Sequence, residues 1–170
     1  MDDTHKTKRL GDTTATVSRM ELRTERVRVL AKPDPHAVQS GSSLADALRA
    51  MRAGDGDAIL VRDGRRLAGI LTERDVLTRI LGHQVDESRP VDDFMTADPD
   101  VLRADATLLD AMQAMERGRY RNVPLVDEGG NLVGLLRQQD VLEYVAEAFP
   151  QEILNLPPRP HQLMEEPEGA

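Results

Sequence analysis

The sequence contains no cysteine. That removes disulfides, thiolate nucleophiles and cysteine zinc sites together, and it fits a cytoplasmic protein. Tryptophan is also missing, and aromatic residues make up 2% of the 170-residue chain. The core must therefore be built from Leu, Val, Ile, Ala and Met, and a planar ligand would lie mainly between aliphatic walls. No run approaches the ~18 consecutive apolar residues that a membrane span needs. An excess of basic residues is lacking too, since 22 Lys and Arg face 30 Asp and Glu, a net charge of −8. A general nucleic-acid binder needs a basic face that displaces counterions from phosphates, so neither nucleic acid nor membrane is expected as a partner.

Catalytic signatures are equally scarce. His5, His36, His83 and His161 are scattered, with no partner or carboxylate at ligand spacing, so no metal site is expected. Neither G-x-x-x-x-G-K-S/T nor G-x-S-x-G occurs. DGDAILVRDG imitates a calcium loop for two residues and then fails, because Ile59 stands where a third oxygen ligand belongs. The chain is expected not to be an enzyme.

What is present is an internal repeat. LADALRAMRAG (44–54) aligns with LLDAMQAMERG (108–118) at an offset of 64, and VRDGRRLAGILTERDVL (61–77) aligns with VDEGGNLVGLLRQQDVL (126–142) at an offset of 65. The change of offset implies one residue inserted between Gly118 and Val123. Leu44, Ala45, Leu48 and Met51 recur at helical spacing, as do Leu108, Leu109, Met112 and Met115. Gly54 and Gly118 follow where a helix C-cap belongs. AILV (58–61) and VPLV (123–126) then run through RDGRR and DEGGN into LAGIL and LVGLL, the chemistry of a β-hairpin. Short extended pieces near 37–39 and 101–103 precede the first helix, and a second helix is expected over Thr72–Ile80 and Arg137–Phe149.

The unit is thus β-α-β-β-α. About 60 residues is marginal for a lone core, so the expected fold is α+β, with two repeats packed as one pseudo-two-fold module. The expected boundaries are a flexible tail over 1–26, repeats over 27–84 and 91–149, and a Pro-rich acidic extension over 150–170.

Two polar stretches stand out. GILTERD (69–75) and GLLRQQD (134–140) share a Gly and an Asp, but Thr72 becomes Arg137. A carboxylate in the first turn of a helix is held ionised by the unpaired N–H groups there, and it can accept two hydroxyl hydrogen bonds from a ribose. The same S/T-x-x-D spacing is also a capping box, which recurs at Ser43–Asp46 and Thr107–Asp110 where no ligand is expected. Thr72 admits both readings, and Arg137 admits two of its own: a phosphate ligand, or a plug across its cleft. In RGRYRNVP (117–124), Arg119 and Arg121 suit phosphates and Tyr120 suits a base or the rim, the alternative being a solvated surface paired with acids. The matching stretch of the first copy, GDGDA, is acidic, so the two clefts should differ.

GILTERDVL and GLLRQQDVL, with NVPLVDEGGNLVG before the second and DFMTADPDVLRADATLLDAM opening its repeat, resemble a tandem pair of cystathionine β-synthase (CBS) domains, the Bateman module. The resemblance covers most of the chain. It implies a non-catalytic regulatory module that binds an adenine nucleotide (AMP, ADP or ATP) or related adenosyl ligand between the repeats. With no attached catalytic or membrane domain visible, the regulated partner is expected to be a separate chain. Carried over by position, Asp75 and Asp140 hold ribose hydroxyls, and Thr72 reaches ribose or phosphate. Arg119, Arg121 and Arg137 then fall to phosphate, and Thr96, Tyr120, Asn122 and Ala58 to the base, with Lys32 the first-repeat counterpart of Thr96. A homodimer is also implied, for which Leu142, Val145 and Phe149, with EILNL beyond, offer apolar surface. The alternative is a ligand-free dimerisation module acting through protein contacts.

Overall fold

The computed structural model describes residues 23–54 and 57–148, and in it the periodicity of each repeat becomes the expected elements. The first repeat runs through strand β1 (Ala37–Gln39), helix α1 (Leu44–Ala53) and strands β2 (Ala58–Asp63) and β3 (Arg66–Thr72). Helix α2 follows, an α-helical turn Glu73–Asp75 that widens into a π-helix Val76–Ile80. The second repeat is preceded by strand β4 (Thr96–Ala97). It comprises β5 (Leu102–Arg103), helix α3 (Leu108–Gly118), β6 (Asn122–Val126), β7 (Leu132–Arg137) and helix α4 (Gln138–Ala148). Phe149, the extension beyond it and residues 1–22 of the expected tail lie outside the described residues. No helix among the described residues is long and apolar enough to cross a membrane.

Helices α1 and α3 form where an apolar stripe follows a capping side chain. Ser43 and Thr107 accept the N–H of Asp46 and Asp110, and the Asp110 carboxylate returns to the Thr107 N–H at 2.9 Å. The Thr107 hydroxyl, which donates to Asp110 Oδ2 at 2.7 Å, and the Thr107 N–H together hold the Asp110 carboxyl below its usual value. The buried stripes are Leu44, Ala47, Leu48 and Met51, then Leu108, Ala111 and Met115. Ala47 and Ala111 thus take the places expected of Ala45 and Met112, because i+3 and i+4 lie on one face.

Strand register corrects the position of the inserted residue. Ala58 pairs with Thr72 and Val61 with Gly69, while Asn122 pairs with Arg137 and Leu125 with Gly134. The offset of 64 therefore persists through β6, and the extra residue lies in the β6–β7 turn rather than between Gly118 and Val123. An insertion ahead of β6 would have moved every side chain to the opposite face. The turn absorbs it. There the Asp127 carboxylate accepts the N–H groups of Gly129 at 2.8 Å and Asn131 at 2.9 Å.

The two repeats exchange the segments that lead into them. The 3₁₀ turns Val27–Val29 and Val91–Asp93 stand at matching positions. Val91 is fully buried in the first core with Leu44, Ile59 and Leu71, whereas Val27 is fully buried in the second with Leu108, Leu125 and Leu136. The N–H of Leu44 donates to the Arg89 carbonyl at 2.8 Å, and that of Leu108 donates to the Glu25 carbonyl at 2.9 Å. Further along, β4 pairs with β3, giving a sheet of order β1-β2-β3-β4 beside a second of order β5-β6-β7. Lys32 correspondingly bridges to Leu135. Ordered packing thus starts before Val27, with Glu25 and Arg26 held against Leu108 and Thr107.

This crossing explains the glycine shared by GILTERD and GLLRQQD. A Cβ on Gly69 would lie 2.3 Å from Met95 Sδ and 2.9 Å from the Thr96 carbonyl oxygen. On Gly134 it would meet the Lys32 carbonyl oxygen at 3.3 Å. Gly69→Ala should therefore lower unfolding free energy by about 1–3 kcal/mol in urea titration, and Gly134→Ala by under about 1 kcal/mol. Equal losses would show that the crossing at Gly69 is not the tighter one.

Candidate functional site

Where β3 ends, Thr72 caps α2. Its Oγ1 accepts the Asp75 N–H at 3.3 Å and donates to Asp75 Oδ2 at 2.6 Å, while its own N–H donates to Oδ2 at 2.9 Å. The capping box is complete. Asp75 is 8% exposed and is the one charged residue among the described residues that is buried. A buried carboxylate needs such partners, because desolvation without them is costly. Oδ2 is taken up by the box, and Oδ1 lies 3.6 Å from Arg79 Nη1, which also donates to the Phe94 carbonyl at 3.2 Å.

The second copy satisfies the same acid by other means. Arg137 Nε donates to Asp140 Oδ1 at 3.1 Å and Oδ2 at 3.0 Å, and Nη2 to Oδ1 at 2.6 Å. The Arg137 N–H keeps the backbone half of the box, at 3.1 Å from Oδ2. A guanidinium fork, only 14% exposed, thus replaces the hydroxyl and engages both oxygens.

Two clefts flank these helix starts. Cleft one, ≈ 570 Å³, brings together Thr72, Asp75, Thr96, Arg119, Tyr120, Arg121 and Asn122. Cleft two, ≈ 290 Å³, holds Lys32, Ala58, Asn122 and Arg137, with Asp34 and His36. Asp140, expected in the second cleft, lines neither. The clefts are pseudo-two-fold mates: Thr96 matches Lys32, Asp98 matches Asp34, Asp100 matches His36 and Thr72 matches Arg137. Lys32 and Arg137 stand where cleft one has two threonines, and the smaller volume follows. Asp57 and Asn122 border both clefts. Asn122 Oδ1 is buried and accepts no hydrogen bond from the described residues.

Sequence reasoning missed Asp98 and Asp100, which line cleft one on either side of Pro99. Their signal was the DPD that follows Thr96 and Ala97. Asp100 Oδ2 accepts the Tyr120 hydroxyl at 2.5 Å, which raises the pKa of that phenol. Gly118 also differs from expectation. Helix α3 runs through it, and the left-handed cap is Arg119, at φ 53°. The glycine serves close approach, since a Cβ there would fall 1.8 Å from the Tyr120 ring.

The Arg137–Asp140 pair should show a coupling of about 1–3 kcal/mol in a double-mutant cycle read by chemical denaturation. The exposed Arg49–Asp46 pair should show about 0.2–0.5 kcal/mol. Thr72→Ala should cost about 1 kcal/mol as a lost cap. Indistinguishable couplings for the two ion pairs would remove Arg137 as the partner that keeps Asp140 in place.

The family model for the CBS domain matches residues 27–82 and 91–147. The CBS domain-containing protein CBSCBSPB5 of Arabidopsis thaliana is 35% identical over 123 residues, 71% of this chain and 20% of its own length. The chain thus spans about a fifth of that relative. Among solved structures, CBSX2 in complex with AMP has a TM-score of 0.66 at 25% identity, covering 72% of this chain and 97% of CBSX2. A CBS domain-containing protein of unknown function from Bacillus anthracis has a TM-score of 0.67 at 23% identity, covering 76% of this chain and 98% of its own. Two β-α-β-β-α repeats with paired clefts, matched over both halves by one family model, show that the chain belongs to the CBS domain family as a tandem pair.

Proposed function

We propose that the chain is a non-catalytic regulatory module that binds an adenine nucleotide or related adenosyl ligand in cleft one and signals to a separate protein. The observation that carries this reading is the convergence of Thr72, Asp75 and Thr96 with Arg119 and Arg121 in one ≈ 570 Å³ cleft. Asp75 Oδ1 is the acceptor offered to ribose hydroxyls, and Arg119 and Arg121 are the cations offered to phosphate. Ile70, Leu77 and Pro124 give the base aliphatic walls, with Thr96, Tyr120 and Asn122 at its edge. The buried Asn122 Oδ1 suits an amino donor. The AMP complex of CBSX2, 25% identical to this chain, supports the ligand class.

Cleft two, with Arg137 held on Asp140 and only ≈ 290 Å³, is assigned no nucleotide. In this reading Arg137 and Asp140 lock the second helix start, and Ala58 borders an empty cleft. A ligand in cleft one touches β3 and α2 of the first repeat and the α3–β6 segment of the second. Binding therefore favours one arrangement of the two halves, which a partner can read. Leu77 and Leu142, at matching positions of α2 and α4, are 57% and 61% exposed and support pairing of two copies through these helices.

The rival reading, a ligand-free dimerisation module, draws on the complete capping box, which already accounts for Thr72. Thermal shift with AMP, ADP, ATP, NAD and S-adenosylmethionine separates the two. At least one should raise Tm with concentration, because a ligand that binds the folded state adds to its stability. No shift with any of the five leaves the rival standing. Titration calorimetry should give one ligand per chain, and Asp75→Asn should weaken binding about ten- to hundredfold. Two ligands per chain would overturn the assignment of cleft two.

A further inference from the structure

We infer that cleft one selects its ligand by charge, accepting an adenosyl ligand with one phosphate or none in preference to free di- and triphosphates. The inference rests on the reading of cleft one as the nucleotide site and goes beyond it in naming the charge class. The lining carries the carboxylates of Asp57, Glu73, Asp75, Asp98 and Asp100. Against them stand the guanidinium groups of Arg74, Arg119 and Arg121. Five negative and three positive groups line the cleft, and with Arg79 set 3.6 Å from Asp75 the balance is still −1, in a chain whose own net charge is −8.

The backbone at Asp98 and the side chain of Asp100 are held in place on the wall of this cleft. The Asp98 N–H donates to the Ala68 carbonyl at 3.2 Å, which ties the segment after β4 to β3. Asp100 is held by the Tyr120 hydroxyl, and the ring of Tyr120 stands over Gly118, where no side chain would fit. Both acids therefore share the lining of the cleft with the two arginines. Two guanidinium groups match the dianion of a monophosphate. Each further phosphate adds negative charge opposed by the surrounding carboxylates, and the apolar walls strengthen that repulsion above its value in open water. Cleft two differs on this point as well, with His36 where cleft one has Asp100.

Calorimetric titration of the intact chain with AMP, ADP and ATP, in dilute buffer with EDTA, tests the inference. Affinity should fall about three- to tenfold with each added phosphate. The spread should narrow as NaCl is raised, since screening weakens repulsion between groups near solvent. Asp98→Asn should tighten ATP about threefold relative to AMP. Asn tolerates the left-handed conformation of this position, φ 45°, so the fold is kept. ATP binding as tightly as AMP, a spread that widens with salt, or an unchanged ratio in Asp98→Asn overturns charge selection and leaves the nucleotide reading intact. Binding of none of the three, together with no thermal shift from NAD or S-adenosylmethionine, overturns both.

Discussion

The exchange of leading segments between the repeats is the contact on which the other features depend. A β-α-β-β-α unit of about 60 residues buries too little apolar surface to close its own core. Val91 supplies the missing wall of the first core and Val27 that of the second, each fully buried. The same segments satisfy the first N–H groups of α1 and α3, through the carbonyls of Arg89 and Glu25. Neither half is complete without chain from the other, and this ties the halves into one module. It also lays Thr96 and Asp98 beside Thr72, although Thr96 lies 24 positions after Thr72 in sequence.

Within that frame a single position changes the chemistry of a cleft. Asp75 and Asp140 occupy the same place in their helices, and both side chains are close to 11% exposed. A hydroxyl at position 72 satisfies one carboxylate oxygen and takes up little room. A guanidinium at position 137 satisfies both and fills the space beside them. The fold is indifferent to this choice, because either partner meets the demand of a buried carboxylate. The cleft is not, and the difference in volume, ≈ 570 against ≈ 290 Å³, follows from it together with Lys32.

Electrostatics adds a second asymmetry. Arg119 and Arg121 read as a phosphate cradle when taken alone, yet they share cleft one with the acids on either side of Pro99. Tyr120 links the two sets, its ring seated on Gly118 and its hydroxyl on Asp100. What the arginines can attract is thus set by carboxylates some twenty residues earlier in the chain. Net charge in a cleft belongs to everything that lines it, and a basic cluster in sequence is only part of that sum.

Much of the architecture was legible in the sequence because its causes are local. Apolar residues at helical spacing, the boxes at Thr107–Asp110 and Thr72–Asp75 and the hairpin turns act within one or two turns of chain. They determined the repeat, its elements and the recurring Asp at the start of the last helix. Gly118 was misread because its cause, the Tyr120 ring, is a packing contact and not a backbone angle. The inserted residue was misplaced because similarity of letters cannot see strand register. Only the tertiary structure decided that the leaders cross, that DPD meets the arginines in cleft one, and that Arg137 closes on Asp140. The exchange and the composition of cleft one join residues far apart in the chain, whereas the Arg137 contact turns on which way one side chain points. Local preference does not specify either outcome; the packing of two incomplete cores does.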